Sequence, residues 1–213
     1  MNTAQGPRAQ PRLGVIGDGF LGRCEWDTWF TPGLVLDLRG AALSADGLAP
    51  LTVVLVRVEP EALILSTGSA DGACGIVDLT HPDRMLTSIE HVLRTLHAAL
   101  PGTRLVLQAL PPADARHAPA IEALNDALEG LCVALDVGFL PLRPHFAQLD
   151  GSMNPDLVSS SGQLNRDGFE TWIEMLDLAA LLPEAVRPRR LPVPHHVYRP
   201  PGASGVRPEP TFG

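Results

Sequence analysis

The sequence predicts an α/β fold, a three-layer α/β/α sandwich around a mostly parallel, five-stranded sheet. Three observations carry this. Short, continuous apolar runs end at glycine or proline. Between them lie longer stretches with apolar residues every three to four positions. The two kinds alternate along 213 residues. Apolar runs without polar alternation suit strands covered on both faces, and strand–helix alternation builds parallel sheets.

The elements follow in order. Leu13-Gly14-Val15-Ile16 is a strand running into the turn Gly17-Asp18-Gly19. Gly33–Leu38 (GLVLDL) is a second. Ala62–Ser66 (ALILS) is a third, closed by Thr67-Gly68. Arg104–Leu110 (RLVLQAL) is a fourth, stopped by Pro111-Pro112. Leu131–Phe139 (LCVALDVGF) contains the fifth. Pro82–Leu100 carries a helical stripe of Met85, Ile89, Val92, Leu93, Leu96 and Leu100, and Pro101-Gly102 ends it. Ala118–Leu131 and Arg166–Leu182 show the same spacing. Leu51–Val58 (LTVVLVRV) is β-branched and strand-like by propensity, yet it sits where a crossover helix is needed. Topology outweighs propensity, and a helix is expected there.

These elements occupy residues 12–182, one domain. Residues 1–11 are short and polar, and residues 183–213 are rich in proline, so both ends are expected to be disordered. Proline-rich text such as Pro188-Arg-Arg-Leu-Pro192-Val-Pro194 is a possible docking segment for a protein partner.

Composition narrows the function. The net charge of −8 gives no general attraction for nucleic acid or anionic lipid. No window approaches the roughly 18 apolar residues of a membrane span. The polar N-terminus has no hydrophobic signal core, so a cytoplasmic location is expected. Cys24, Cys74 and Cys132 are odd in number and well separated, which reads as reduced thiols. The histidines make no zinc-like spacing with them, and His195-His196 reads as a solvated pair. No metal and no cofactor is expected.

Four short motifs in this order resemble those of the SGNH (GDSL-like) hydrolases, over about residues 12–182. Val15-Ile16-Gly17-Asp18-Gly19-Phe20 is similar to that family's strand followed by Gly-Asp-Ser. Ala62–Asp71, ending Gly68-Ser69-Ala70-Asp71, is similar to its strand followed by Gly-x-Asn-Asp. Arg104–Pro112 resembles its fourth strand and following proline, and Asn125 lies where a helix commonly carries Asn. The segment from Leu157, through Ser160, Gln163, Leu164, Asn165, Gly168 and Phe169 to Trp172, is similar to Asp-Gly-x-His-Leu-Asn-x-x-Gly-Tyr-x-x-Trp.

The resemblance implies a serine nucleophile, a histidine base, an aspartate that orients it, and an oxyanion site made of the serine amide, a glycine and an asparagine. At the matching positions this chain has Gly19 for the serine, Gln163 for the histidine, Ser160 (or Ser161 if the register slips by one) for the aspartate, and Ala70 for the asparagine. Glycine has no attacking atom, and a carboxamide takes no proton near neutral pH. The second block, Asp37 to Ala42, is divergent, with Gly40 matching its turn glycine and Ala42 standing where the oxyanion glycine would be. Cys24, five residues past Gly19, is too far along the chain to replace a side chain on the turn.

The expected function is therefore a non-catalytic module on the hydrolase fold. It would bind a small polar or acylated ligand, or a partner, with Asp18, Gly40, Asp71, Gln163 and Asn165 as candidate pocket residues and Arg23 and Glu25 beside them. The alternative is an esterase, acyl-ester hydrolase or transferase with a rewired site, in which Asp18 or Asp71 is the general base. Asp18 and Asp71 also have a purely structural reading, as turn caps. Trp26, Trp29 and Phe30 are either recognition anchors or the packing face of a short helix.

Overall fold

The computed structural model describes residues 12–17, 19–21, 25–39, 45–67, 79–186 and 188. Five parallel strands form one sheet in the order β2-β1-β3-β4-β5. They are β1 (Leu13–Gly17), β2 (Val35–Arg39), β3 (Ala62–Ser66), β4 (Arg104–Gln108) and β5 (Gly138–Leu140). The helices are α1 (Trp26–Trp29), α2 (Ala45–Val58), α3 (Pro82–Ala99), α4 (Ala118–Leu135), α5 (Arg143–Phe146) and α6 (Arg166–Leu178). Register is set by apolar pairs such as Leu13↔Ala62 and Leu63↔Leu105.

Side chains alternate across the strands, and both faces are dry. Ile16, Leu63, Leu65, Leu105 and Leu107 face α2, α3 and α4, meeting Leu48, Leu51, Leu55, Ile89, Leu93 and Leu128. Leu13, Val15, Ile64 and Val106 face the other way, onto Phe20, Trp26, Phe30, Phe146 and the α6 residues Phe169, Trp172 and Leu176. This two-sided burial is why the strands read as unbroken apolar runs. Gly17 sits at φ +149°, and a Cβ there would lie 2.5 Å from Ser66 Cβ and 2.7 Å from Ser66 O, so only glycine lets β1 end this close to β3.

The crossover helix expected at Leu51–Val58 is present within α2. Leu48, Leu51 and Leu55 recur on one face and are buried, while Val53, Val54 and Val56 are exposed. The β-branched character lies on the face that packing does not use, so the buried stripe decides the structure.

Several boundaries differ from expectation. Residues 131–135 are helical, not strand: Leu124, Leu128 and Cys132 share one buried face of α4, which runs on until Asp136 turns left-handed at φ 55°. The fifth strand is confined to Gly138–Leu140. Helix α6 stops at Leu178, and Ala180 at φ 50° turns Leu181 back into the core. The chain stays packed past residue 182, since Glu184–Val186 forms a 3-10 turn and Val186 is buried. His145 belongs to the short helix α5, whose Phe146 is fully buried.

Cys132 is free and sealed in the α4 face of the core. Burial, with a smaller push from the Glu129 carboxylate, raises its thiol from 9.0 to about 12. The folded state therefore favours the neutral thiol. That stabilisation is complete below the unfolded value of 9.0 and is lost as pH climbs towards 12. Unfolding free energies measured from pH 8 to 11 should fall more steeply for the parent than for Cys132→Ala, by up to about 1.4 kcal/mol per pH unit. All sixteen basic residues are arginine, so no lysine titrates in that window. Parallel curves for parent and variant would show that the thiol is not desolvated.

Candidate functional site

The site expected from the sequence lies beyond the C-terminal ends of β1 and β3, where ligands bind in open parallel sheets. Strand β1 delivers the chain to Gly19, which opens a 3-10 turn, Gly19–Leu21. Phe20 and Leu21 are buried and anchor that turn to the core beneath.

The second part is the loop before α6. Val158 and Leu164 form an antiparallel bridge that closes a tight hairpin. Inside it the Ser159 amide donates to Gln163 O at 2.7 Å and the Gly162 amide to Ser159 O at 2.9 Å. Gly162 has φ +74°, a turn conformation suited to glycine. Ser159 Oγ also donates to Gln163 O, at 3.1 Å, and lies 2.9 Å from Ser161 Oγ. Ser160 is exposed at the tip, and the half-buried Gln163 side chain makes no hydrogen bond among the described residues.

One bond joins the two parts. The Leu164 amide donates to Phe20 O at 2.9 Å. It ties the residue after Gln163 to the residue after Gly19, so the two chain segments that the sequence matched to nucleophile and base are neighbours in space.

Asn165 is committed to the fold. Its Oδ1 accepts from the Gly168 amide at 3.0 Å and caps α6, and its Nδ2 donates to Asp156 O at 2.8 Å. Gly168 is equally constrained, since a Cβ there would meet Leu157 O at 2.0 Å. The Leu-Asn-x-x-Gly part of the motif thus serves the entry to α6.

The aromatic residues after the first turn pack inward. Trp26 stands edge-on to Phe169 at 5.3 Å, Phe169 lies 5.4 Å from Trp172, and Phe30 is fully buried. Trp29 is half-buried and reaches Phe169 at 5.7 Å. They form the packing face of a short helix.

A buried polar chain was not legible in advance. Trp172 Nε1 donates to Gln108 Oε1 at 2.6 Å, and Gln108 Nε2 donates to Ser66 Oγ at 3.0 Å. Ser66 and Gln108 are each fully buried. The available signal was a polar residue closing each of two apolar strands, in ALILS and RLVLQ. Thr67, next along, is 2% exposed, and its Oγ1 has no hydrogen-bond partner among the described residues.

Asn125 has a fold role as well. It accepts from the Leu110 amide at 2.8 Å and donates to Leu110 O at 3.1 Å, fixing the end of β4 to α4. Among the candidates, Asp18, Gly40, Ala70 and Asp71 lie outside the described residues, as do Arg23, Cys24 and Cys74. Glu25 is exposed just before α1. Among the described residues, no group of three or more His, Cys, Asp or Glu could hold a metal ion, and no helix is long and apolar enough to cross a membrane.

Solved structures share this architecture. An acylhydrolase candidate from Bacteroides fragilis superposes with TM-score 0.61 at 16% identity, over 81% of this chain and 89% of its own. A GDSL-like lipase from Bacteroides thetaiotaomicron gives TM-score 0.59 at 16% identity, over 80% and 90%. The psychrotrophic esterase EstA from Pseudoalteromonas, in a structure inhibited by monoethylphosphonate, gives 0.56 at 13% identity, over 79% and 96%. No protein-family model matches the chain, and no curated protein matches it. At such identities the likeness establishes the fold, that of the SGNH or GDSL-like hydrolases.

Proposed function

We propose that this protein is a non-catalytic member of the SGNH-type fold, which binds a small polar or acylated ligand, or a partner, at the C-terminal ends of β1 and β3. The observation that carries the reading is the Leu164–Phe20 backbone bond of 2.9 Å. It supports the register in which Gly19 and Gln163 occupy the two positions where this fold's hydrolases need a nucleophile and a base. Serine hydrolysis needs an attacking oxygen and a proton acceptor within hydrogen-bond reach. Glycine supplies no such oxygen, and a carboxamide is no base at neutral pH.

Binding without cleavage is supported by what the site still offers. The Gln163 carboxamide has both a donor and an acceptor that no described residue engages. Thr67 Oγ1 is buried at the end of β3 and has no hydrogen-bond partner among the described residues. Leaving a buried hydroxyl unpaired costs about 1–3 kcal/mol, which a ligand's polar group would recover. Nearby, the Ser66–Gln108–Trp172 chain holds the floor of this region rigid.

Hydrolysis of p-nitrophenyl acetate by the purified protein tests the reading. The comparison is a variant carrying Gly19→Ser, Ala70→Asn, Ser160→Asp and Gln163→His together. The parent should show no turnover above buffer and form no adduct with a serine-directed phosphonate. Turnover that scales with parent concentration and survives repurification, or a phosphonate adduct on the parent, would overturn the reading. A silent parent with an active variant would support it, because the pocket would then be intact with only the reacting groups replaced.

A further inference from the structure

A groove of about 410 Å³ opens at the β5 edge of the sheet, beyond the C-terminal ends of β4 and β5, between α4 and α5. Among the described residues, Asn125 lines it, and neither Gln163 nor Asn165 does. Its floor is apolar: Ala109 and Leu142 are buried, and Phe139 is half-buried. One wall is the α4 face bearing Glu122, Asp126 and Glu129, which helical spacing sets in one row. Glu122 is paired with Arg143 across the groove. Asp126 and Glu129 are exposed and make no hydrogen bond or ion pair among the described residues. An apolar floor under two unpaired carboxylates suits a guanidinium on an aliphatic stem, whose methylenes cover the floor while its head meets the carboxylates.

The chain carries such a group close by. Residues 187–213 hold five arginines against one acid, Glu209, whereas residues 1–186 hold eleven against twenty-three. A net +4 segment therefore follows a body of net −12. Leu181, shortly before the end of the described segment, reaches the β5 edge of the sheet. Leu181 Cδ2 lies 3.7 Å from where a Cβ on Gly138 would stand, at the start of edge strand β5, and Val186 belongs to the same apolar cluster. The groove begins at the far end of that three-residue strand, about 10 Å on. From Leu181 to Arg190 the chain can span up to about 28 Å, allowing for the 3-10 turn Glu184–Val186.

We propose that this groove is the docking site of the chain's own C-terminal segment, with Arg189 and Arg190 set against Asp126 and Glu129. The inference is independent of the ligand site at β1 and β3. Contacts of this kind are weak singly and gain from the tether, which keeps the local concentration of the arginines high.

Carboxyl footprinting of the full chain, with a carbodiimide and glycine ethyl ester, reads the two carboxylates directly. In Arg189→Gln/Arg190→Gln, labelling of Asp126 and Glu129 should speed up about threefold or more, the scale two exposed ion pairs support. Asp83, at the start of α3, serves as the control and should not change. High salt should give the same increase in the parent and none in the variant. Equal labelling of Asp126 and Glu129 in parent and variant would overturn the proposal. So would protection in the parent that grows with protein concentration, since the arginines would then come from a second copy.

Discussion

Gly168→Ala is expected to destabilise the protein by about 3 kcal/mol, near the upper end for overpacking. The added Cβ would lie 2.0 Å from Leu157 O, 3.0 Å from Leu157 C and 3.0 Å from Leu164 Cδ2. Two of these are backbone atoms, so rotating a side chain gives no relief. Either α6 or the 3-10 turn Pro155–Leu157 has to move. That turn is held by the Asn165 amide, which donates to Leu157 O at 3.1 Å, and by Asn165 Nδ2 on Asp156 O at 2.8 Å. Displacing it also drags Leu164, whose amide fastens the Gln163 loop to Phe20. The same substitution at Gly130, exposed on α4 with nothing within 4 Å, is the control. It should stabilise by roughly 0.5–1 kcal/mol, because alanine loses less backbone freedom in a helix than glycine. Chemical denaturation midpoints compare the two directly. A Gly168→Ala midpoint equal to the parent's would mean that α6 does not dock on Leu157 as described.

How much of this was legible in the sequence differs between fold and site, for physical reasons. Strands β1, β3 and β4 were readable because each is buried on both faces, which leaves no polar alternation. Helices α3, α4 and α6 were readable because one face is buried, which imposes the 3.6-residue stripe. The fifth strand was misplaced because residues 131–135 are apolar enough for either state. What settles them as helix is the spacing of Cys132 from Leu128 and Leu124, a tertiary constraint. Helix α5 is four residues long, too short for any period to show.

In the site, motif order alone suggested that the Gly19 and Gln163 segments belong together, and the structure has the Leu164 amide donating to Phe20 O. The division of labour inside the last motif was not. Asn165 and Gly168 read as part of a functional signature, but a cap and a close backbone approach account for both. The role of Gln108 was hidden because its two partners lie 42 and 64 residues away in the chain. No local pattern marks a long-range buried hydrogen bond.

That hidden chain carries the second large effect. Trp172→Ala should cost about 3–5 kcal/mol, the scale for emptying a large aromatic site in a core. Trp172 is fully buried, lies 5.4 Å from Phe169 and 6.2 Å from Trp26, and has no room to be replaced by water-exposed structure. Volume alone predicts a smaller loss for Trp172→Phe, but phenylalanine also leaves Gln108 Oε1 buried and unpaired, which adds about 1–3 kcal/mol. Gln108→Met alone strands the Trp172 N–H in the same way. Removing both partners together removes both orphans, so the double variant should cost less than the sum of the singles by about 1–2 kcal/mol. A double-mutant cycle in denaturant measures that coupling, and additive costs would show that the 2.6 Å bond contributes nothing beyond packing. The coupling matters for the site because Trp172 is the only link in this chain from α6, and α6 carries the Gln163 loop at its start. Through Gln108 and Ser66 the helix is fixed to the ends of β4 and β3, so the loop and the β3 terminus hold one geometry. A scaffold fixed in this way can hold a pocket in one shape whatever groups line it.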